Sequence, residues 1–301
     1  MSWPAAMLGV VNLDKPVGPT SHDMVDLVRR LTGMRRIGHA GTLDPLASGV
    51  LPILVGAATR FSDDLTGGSK RYEAVMRLGI RSATDDSQGP LEPVSEPPDV
   101  ATVTAALASF VGTFAQRPPA FSARKTGGVI AHRAARAGNP VQAPPRDVTV
   151  EAIDLLGSER GDGWLDVRCD IRCGPGTYIR SLARDLGDRL GCGGHLHALR
   201  RTEAAGLRVA DAVAPGLLEE LAAGGKLARA ILPVGPLLRL PELRLDAEAA
   251  GRFVHGSSVQ MHGTAGAGRH AVFADGGLLG IGMLRDGLLE PRTVIEPSGA
   301  A

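Results

Sequence analysis

The sequence predicts an α+β protein built from two regions. Over about the first 235 residues, segments with the two-residue period of strands alternate with segments that have the period of amphipathic helices. The rest of the chain holds short strand-like segments and two turns, Asp275-Gly276 and Asp286-Gly287, which are typical of β-hairpins. A length of 301 residues also suggests two domains at about 150 residues each. We therefore predict a larger domain over residues 1–235 and a small all-β domain over residues 236–301.

The first elements are predicted to be a strand, a helix and a long loop. Leu8–Leu13 has the apolar character of a strand, and Thr20 and Ser21 are typical of residues that cap the start of a helix. Apolar residues at helical spacing follow, and Gly33 marks the end of this helix. Residues 38–49 contain three glycines and a proline, which predicts a loop throughout this segment.

Strand and helix patterns alternate through the middle of the chain. Apolar and charged residues alternate around Tyr72, so this tyrosine is predicted on the buried face of a strand. Apolar spacing predicts a helix from Val103 to Phe114, and five prolines within residues 116–146 predict an irregular, basic excursion. The clearest alternation, over residues 165–172, predicts another strand, and Thr177 is expected to cap the helix that follows.

The distribution of charge favours a polyanionic partner. The net charge is only +1, but 29 of the 33 basic residues are arginine, and residues 27–43 and 116–136 are basic stretches without an acid. Local basic patches on a nearly neutral chain suit a nucleic acid that is bound on one face. An arginine-rich solvated surface is the alternative interpretation.

Composition sets the class of protein and the expected compartment. Charged residues make up 22% and hydrophobic residues 44% of the chain, which excludes an intrinsically disordered protein. There is no apolar run of about 18 residues and no secretory signal pattern at the N-terminus, so we expect a cytoplasmic protein without membrane contact. The three cysteines, Cys169, Cys173 and Cys192, are expected to be core thiols, because a lone C-x3-C pair has poor zinc spacing.

Familiar motifs for other reactions are missing from the sequence. It contains no G-x-x-x-x-G-K-[ST], G-x-S-x-G, H-E-x-x-H or G-x-G-x-x-G pattern, which disfavours nucleotide hydrolysis, serine hydrolysis and dinucleotide chemistry. The closest histidine pair, His195 and His197, has no neighbouring carboxylate. We therefore predict no metal site and no cofactor.

Asp44 is the candidate reactive group. An acid in a glycine-bearing loop is often only a turn residue. Here Pro45 stiffens the backbone, and His39 and Thr42 add polar side chains to the same loop, which favours a functional role. A carboxylate acts as a nucleophile or base when a cation keeps it ionised, and without metal ligands that cation has to be an arginine.

The two tyrosines of the chain are the candidate aromatic residues. Tyr72 lies on the inner face of its strand, and Tyr178 lies at the start of the helix that carries Arg180. Aromatic rings beside arginine are what a site for an unstacked base requires. Taken singly, each tyrosine is also compatible with a core position.

Six segments together carry a resemblance to the TruB family of tRNA pseudouridine synthases. They occur in the family's order and span nearly 200 residues: KPVGPTS from Lys15, GHAGTLDPLASGVL from Gly38, KRYEAVMRLG from Lys70, QRPPAFSARK from Gln116, GTYIRSLARDLG from Gly176 and LHALRRTEAAG from Leu196. The resemblance implies an α+β pseudouridine synthase fold with a mixed, mainly antiparallel sheet. The C-terminal region resembles the all-β PUA-type RNA-binding domain of bacterial members.

The resemblance also implies an activity and its residues. Uridine 55 in the TΨC loop of tRNA would be isomerised to pseudouridine without a cofactor, by a monomer that requires no protein partner. Asp44 would be the nucleophile, Arg180 would pair with it and keep it ionised, and Tyr72 would lie under the flipped base and take part in proton transfer. The other implied site residues hold or surround the target nucleotide: His39, Tyr178 and Leu199.

The sequence departs from the family pattern at three places. The family usually has tyrosine where this chain has Phe121 and His132, and Thr-x-Thr-Asp where it has Ser82-Ala83-Thr84-Asp85. These differences do not touch Asp44, Tyr72 or Arg180, so they leave the expected activity in place. They put the details of RNA contact by residues 116–136 in question.

Three other functions remain as alternatives. The chain could be a pseudouridine synthase that acts on another RNA, or a non-catalytic protein that binds or folds RNA. It could also be a carboxylate-dependent glycosidase. Such an enzyme needs a second acid at a suitable distance from the first, and the sequence suggests no partner for Asp44.

Overall fold

The computed structural model describes residues 8–120, 125–126, 129–130, 143–261, 266–275 and 277–295. Within these residues the helices are α1 Ser21–Thr32, α2 Ser62–Thr66, α3 Val100–Ala108, α4 Ile179–Arg189, α5 Pro215–Ala223 and α6 Ala247–Val254. The strands are β1 Gly9–Lys15, β2 Ile37–His39, β3 Ala47–Val55, β4 Lys70–Leu78, β5 Ile80–Ser82, β6 Leu91–Pro93, β7 Gly112–Gln116, β8 Lys125–Thr126, β9 Val129–Ile130, β10 Arg146–Gly161, β11 Trp164–Cys173, β12 Gly194–Ala204, β13 Leu207–Arg208, β14 Ile231–Leu232, β15 Glu242–Arg244, β16 Val259–Gln260, β17 Gly268–Ala274, β18 Gly277–Arg285 and β19 Leu288–Val294.

A large sheet organises the first region. Over the described residues it has ten strands, in the order β14-β1-β3-β12-β4-β11-β10-β7, with β2 beside β3 and β13 beside β12. Its pairs there are antiparallel except for β12 with β3, where Leu199 lies opposite Ala47 and Arg201 opposite Gly49. The predicted mixed, mainly antiparallel sheet of an α+β protein is therefore confirmed.

The apolar core of this region lies between the sheet and the helices. Helix α1 begins at the predicted place, because the Thr20 hydroxyl accepts a hydrogen bond from the Asp23 amide and the Asp23 side chain reaches back to Thr20. It ends at Gly33, whose φ of 67° is left-handed. Buried residues of α1 and α4 pack against strand residues such as Leu51 and Met76 in one continuous cluster.

The C-terminal region contains a second sheet. Within the described residues its strand order is β15-β17-β18-β19-β16. Both predicted hairpins are present: Ala274 pairs with Gly277, and Asp286 and Gly287 have φ angles of 48° and 76° in the turn between β18 and β19. Helix α6 packs on this sheet and was not anticipated from the sequence.

The two regions share an apolar cluster. Leu54 and Phe61 from the first region pack in the same cluster as Ala271 and Ile281 from the second. An ion pair also joins Arg269 to Asp64 of α2. The C-terminal region therefore supplies part of a buried apolar cluster that it shares with the first region.

Three predictions about local structure were wrong. Residues 38–49 are not a loop throughout, because residues 38–39 belong to β2 and residues 47–49 to β3. The predicted helix from Val103 ends at Ala108, and Phe114 belongs to strand β7, which begins at Gly112 with a φ of 115°. The N-cap residue of α4 is Tyr178 and not Thr177. The Thr177 hydroxyl donates to the carbonyl of Gly174.

The cysteine prediction is confirmed. Cys169, Cys173 and Cys192 are free and buried. Burial raises the pKa of the Cys169 thiol to about 12 and that of Cys173 to about 11, so both stay protonated at neutral pH. Over the described residues, no helix has the length and apolar character needed to cross a membrane.

Candidate active site

The loop that carries Asp44 connects β2 to β3 and is fixed along its backbone. The Ala40 amide donates to Pro52 and the Ala47 amide to Asp44, at 2.9 and 3.0 Å. Gly41 has a φ of 96°, which residues with a side chain rarely adopt. These bonds place the Asp44 side chain at a defined position above the sheet.

The segment before α1 holds the same loop from the other side. The hydroxyl of Ser21, the first residue of α1, donates to the Leu43 carbonyl and accepts from the Leu43 amide, at 2.9 and 2.8 Å. The Gly18 amide donates to the carbonyl of Pro45. Lys15 is buried and donates to two carbonyls of the turn that contains Gly18. Burial lowers the pKa of Lys15 to about 8.

Arg180 pairs with Asp44 inside the protein. Its Nε lies 2.9 Å from Oδ2 of Asp44, and its Nη1 lies 3.4 Å from Oδ2 of a second acid, Asp86. Asp86 is itself oriented by hydrogen bonds from the Thr84 hydroxyl and the Gln88 amide. One buried guanidinium therefore bridges two carboxylates.

The environment of Asp44 sets its proton affinity. Burial raises the pKa of its carboxyl above the ordinary value, the charge of Arg180 opposes this shift, and the charge of Asp86 adds to it. Arg180 thus favours the ionised carboxylate without cancelling the effect of burial.

A pocket opens over Asp44. It has a volume of about 280 Å³, at the lower end of the ~300–1,000 Å³ range of ligand sites. The sequence-predicted site residues that line it are Asp44, Tyr72, Tyr178, Arg180 and Leu199. The strands β4 and β12, which pair antiparallel, supply Tyr72 and Leu199, and the start of α4 supplies Tyr178 and Arg180.

Tyr72 lies in the wall of the pocket with its ring almost wholly covered. Burial raises the pKa of its hydroxyl, and the positive charge of Arg201 opposes the shift. Tyr72 lies opposite Arg201 in the pairing of β4 with β12. At neutral pH the phenol is therefore protonated and able to donate or accept one hydrogen bond.

His39 is placed differently from the other predicted residues. It ends β2, and among the described residues it does not line the pocket. Burial and the charge of Arg201 lower the pKa of its imidazole, which favours the neutral form. Phe121 and His132 lie outside the described residues.

Sequence reasoning missed three charged residues of the site. Asp86 has no motif of its own, although it follows the Ser82–Asp85 segment. Arg201 belongs to a recognised block, but nothing in that block predicts a fully buried guanidinium. Lys70 donates to the carbonyls of Thr66 and Gly68 beside the pocket, and burial lowers its pKa to about 8.

Asp86 also bears on the alternative of a glycosidase. The sequence suggested no second acid near Asp44, whereas the structure places Asp86 on the same arginine. Asp86 is only 7% exposed and, within the described part of the chain, does not line the pocket. It is therefore poorly placed to protonate a leaving group there, as a glycosidase requires.

Across the described ranges, no cluster of three or more His, Cys, Asp or Glu side chains is arranged to hold a metal ion.

A larger cleft adjoins the pocket. It has a volume of about 840 Å³ and shares Lys70 with the pocket. Five arginines from both regions line it: Arg71, Arg172, Arg208, Arg239 and Arg269. Acidic residues, including Glu151 and Glu203, are interspersed among them.

Family models match most of the chain. Residues 29–179 match the N-terminal domain of TruB family pseudouridylate synthases, residues 180–239 match the tRNA pseudouridylate synthase B C-terminal domain, and residues 241–295 match the C-terminal domain of pseudouridine synthase II TruB. A relative from Ralstonia pickettii (strain 12J), tRNA pseudouridine synthase B, is 42% identical over 96% of this chain and 94% of its own length.

Solved structures show the same fold. A Cbf5-Nop10-Gar1 complex contains a chain 26% identical, with a TM-score of 0.72 over 98% of this protein and 87% of that chain. A chain of an H/ACA RNP bound to a substrate RNA containing 2'-deoxyuridine is 24% identical, with a TM-score of 0.73 over the same shares. With domain matches along most of its length and a curated relative at 42% identity, the chain belongs to the TruB family of pseudouridylate synthases.

Proposed function

We propose that this protein isomerises uridine 55 in the TΨC loop of tRNA to pseudouridine. The observation that carries the proposal is the pocket in which the Asp44 carboxylate meets Arg180 beside the buried ring of Tyr72. The relatives named tRNA pseudouridine synthase B support tRNA as the substrate.

The reaction requires an enclosed site for a detached base. The bond between N1 of uracil and C1′ of ribose breaks, the base turns, and a bond from C5 to C1′ forms, while the hydrogen of C5 is lost and N1 gains one. The product is an isomer of the substrate, so the balance requires no oxidant, reductant or cofactor. Asp44 acts as the nucleophile, and the ion pair with Arg180 favours the charged form that attacks.

The pocket residues hold the nucleotide during this step. The uridine has to leave the stack, which costs a few kcal/mol. Tyr72 lies against the base and takes part in proton transfer, while Tyr178 and Leu199 enclose the base from α4 and β12. His39, at the end of β2, helps to hold or displace the target nucleotide.

The surrounding surface provides the contacts that offset the cost of flipping. The arginines of the large cleft, together with the basic stretch of residues 116–136 in the sequence, suit phosphate groups of RNA. We assign catalysis to residues 1–235, including the basic excursion over residues 116–146, and a PUA-like role in RNA positioning to residues 236–301. The protein acts in the cytoplasm as a monomer without an obligate protein partner.

The test uses unmodified tRNA transcript and purified protein. Transcript with uridine at position 55 should yield one pseudouridine, detected by carbodiimide modification and primer extension, and transcript with cytidine there should yield none. A pseudouridine at another position would support the alternative of a different RNA target. Binding without any product in either transcript would contradict the proposal and favour a non-catalytic RNA-binding protein.

A further inference from the structure

Arg201 lies between the two strands that carry the candidate catalytic groups. It is 1% exposed, and in strand β12 it is paired with Gly49 of β3 on one side and with Tyr72 of β4 on the other. Strand β3 continues directly from the Asp44 loop. Arg201 is therefore placed where the loop and the tyrosine meet.

The guanidinium of Arg201 donates hydrogen bonds to three backbone carbonyls. Nε donates to Val50 at 2.7 Å, Nη1 to Thr42 at 3.3 Å and Nη2 to Gly41 at 3.0 Å. Gly41 and Thr42 are the third and second residues before Asp44 along the loop. A planar fork of donors fixes these carbonyls in direction as well as distance.

Two glycines, Gly41 and Gly49, lie beside Arg201. A Cβ atom at Gly49 would lie 2.2 Å from the Arg201 carbonyl oxygen, so only glycine permits the approach of β3 to β12. A Cβ at Gly41 would lie 3.5 Å from Nη1 of Arg201, and Gly41 already has a left-handed φ. The close approach at Gly49 is to the backbone of residue 201, whereas a Cβ at Gly41 would make an ordinary contact with the guanidinium.

Burial of the charged Arg201 side chain carries a desolvation cost that packing alone does not require. Among the described residues, the ion pairs of this region engage Arg180 and Arg200 but not Arg201. A buried cation held by neutral carbonyls gains less than one held by a carboxylate. An apolar residue would fill the same interior position at lower desolvation cost.

We propose that Arg201 is a positioning residue that holds the Asp44 loop in register with Tyr72, so that nucleophile and tyrosine face the same base. The arginine, which also lines the pocket, acts through the carbonyls of Gly41 and Thr42 and through the strand pairing that sets Tyr72 opposite it. The catalytic part of this inference rests on the proposed function. The structural part, that Arg201 restrains the loop, stands independently of it.

Ser21 provides a matched control. It restrains the same loop at Leu43, but from α1. A second control is Arg200, the neighbour of Arg201 in β12, which pairs with Asp14 near the surface. Substituting these residues separates the effect of a looser loop from the effect of a lost link to Tyr72.

The experiment compares Arg201→Lys, Arg201→Gln, Ser21→Ala and Arg200→Lys in the full chain. Melting and RNA affinity are measured first, then the single-turnover rate at saturating tRNA and amide hydrogen exchange of the peptide over residues 38–49. We expect Arg201→Lys to bind tRNA within about threefold of wild type but to react about 10²-fold more slowly, since small displacements of reacting groups have effects of that size. Exchange at residues 41–44 should become faster, and Arg200→Lys should change neither property.

A double-mutant cycle with Tyr72→Phe tests the link itself. If Arg201 aligns the Asp44 loop with the tyrosine, the losses from Arg201→Lys and Tyr72→Phe will combine to less than their product, whereas those from Ser21→Ala and Tyr72→Phe will multiply. Unchanged exchange and a rate within about threefold of wild type in Arg201→Lys would overturn the inference. If Arg201→Lys does not melt cooperatively, Arg201→Gln, which keeps a donor without the charge, decides the same points. An inactive wild type would contradict the proposed function alone, and hydrogen exchange would still decide whether Arg201 restrains the loop.

Discussion

Arg180 is buried more deeply than Asp44, the carboxylate with which it pairs. The arginine side chain is 6% exposed and that of Asp44 is 36% exposed, with 2.9 Å between Nε and Oδ2. The second contact of Arg180, to Asp86, lies on the buried side. The guanidinium is therefore held from behind while the Asp44 carboxylate faces the pocket, which is the arrangement that a reactive carboxylate requires.

Replacing Asp44 with asparagine should abolish pseudouridine formation. The amide keeps the size of the side chain but is not a nucleophile. Binding of tRNA should stay within about tenfold, because phosphate contacts dominate affinity. The measurements are product formation and a binding titration at fixed salt. Retained turnover in Asp44→Asn would show that another group carries the reaction.

Asp86→Asn should slow turnover although Asp86 lies behind the site. The substitution removes the charge that holds Nη1 of Arg180 and displaces the guanidinium from Asp44. A loss of about 10²-fold in the rate at saturating tRNA is expected from misplacement of this size.

The neighbouring acid provides the control for that prediction. Asp85 pairs with Arg184 at 2.8 Å and not with Arg180. Asp85→Asn should therefore leave the rate within about threefold, because a change outside the reacting constellation does not misplace it. Equal losses in the two variants would mean that the effect reflects stability, which thermal melting would detect.

The rate should fall in acid through the titration of Asp44. Burial raises the pKa of Asp44 above the ordinary value of 3.8, and the nucleophile has to be ionised, so activity is present above the raised pKa and is lost as the pH falls through it. The charge of Arg180 opposes the shift, so Arg180→Gln should move the acid limb to higher pH. The measurement is kcat/KM against pH at constant ionic strength. An acid limb in Arg180→Gln at the wild-type position, or below it, would contradict this assignment.

The C-terminal region contributes to the stability of the chain through the shared apolar cluster. Ile281 is fully buried in the cluster that includes Leu54 and Phe61. Ile281→Ala should lower the free energy of unfolding by about 2–5 kcal/mol. Leu288→Ala, at a residue 37% exposed, should change it by less, about 0.5 kcal/mol. Chemical denaturation measures both, and equal effects would show that the cluster contributes little.

Local patterns were enough to predict many elements. The cap at Thr20 and the stop at Gly33 define α1, and the Asp-Gly turns define both C-terminal hairpins, because each depends on residues within a few positions along the chain. The alternation around Tyr72 predicted a buried face of β4 for the same reason. The motif segments were also sufficient to indicate the family.

Other features depended on partners distant in the sequence. Residues 47–49 became part of a strand because β12, about 150 residues later, pairs with them in parallel. Phe114 has helical spacing from Val103, but the chain joins the edge of the sheet at Gly112 and pairs with β10 instead. Periodicity cannot distinguish these outcomes, since pairing between distant strands decides them.

The sequence by itself determined many of the element types, the core thiols, the family and the residue types from which a site could be built. Only the tertiary structure decided that Asp86 shares Arg180 with Asp44, that the buried Arg201 binds carbonyls of the Asp44 loop, and that the C-terminal sheet completes an apolar cluster. The physical reason is that burial and ion pairing depend on which surfaces meet. No local sequence pattern predicts that a charged residue will be buried, because the carbonyls and carboxylates that stabilise it come from other elements.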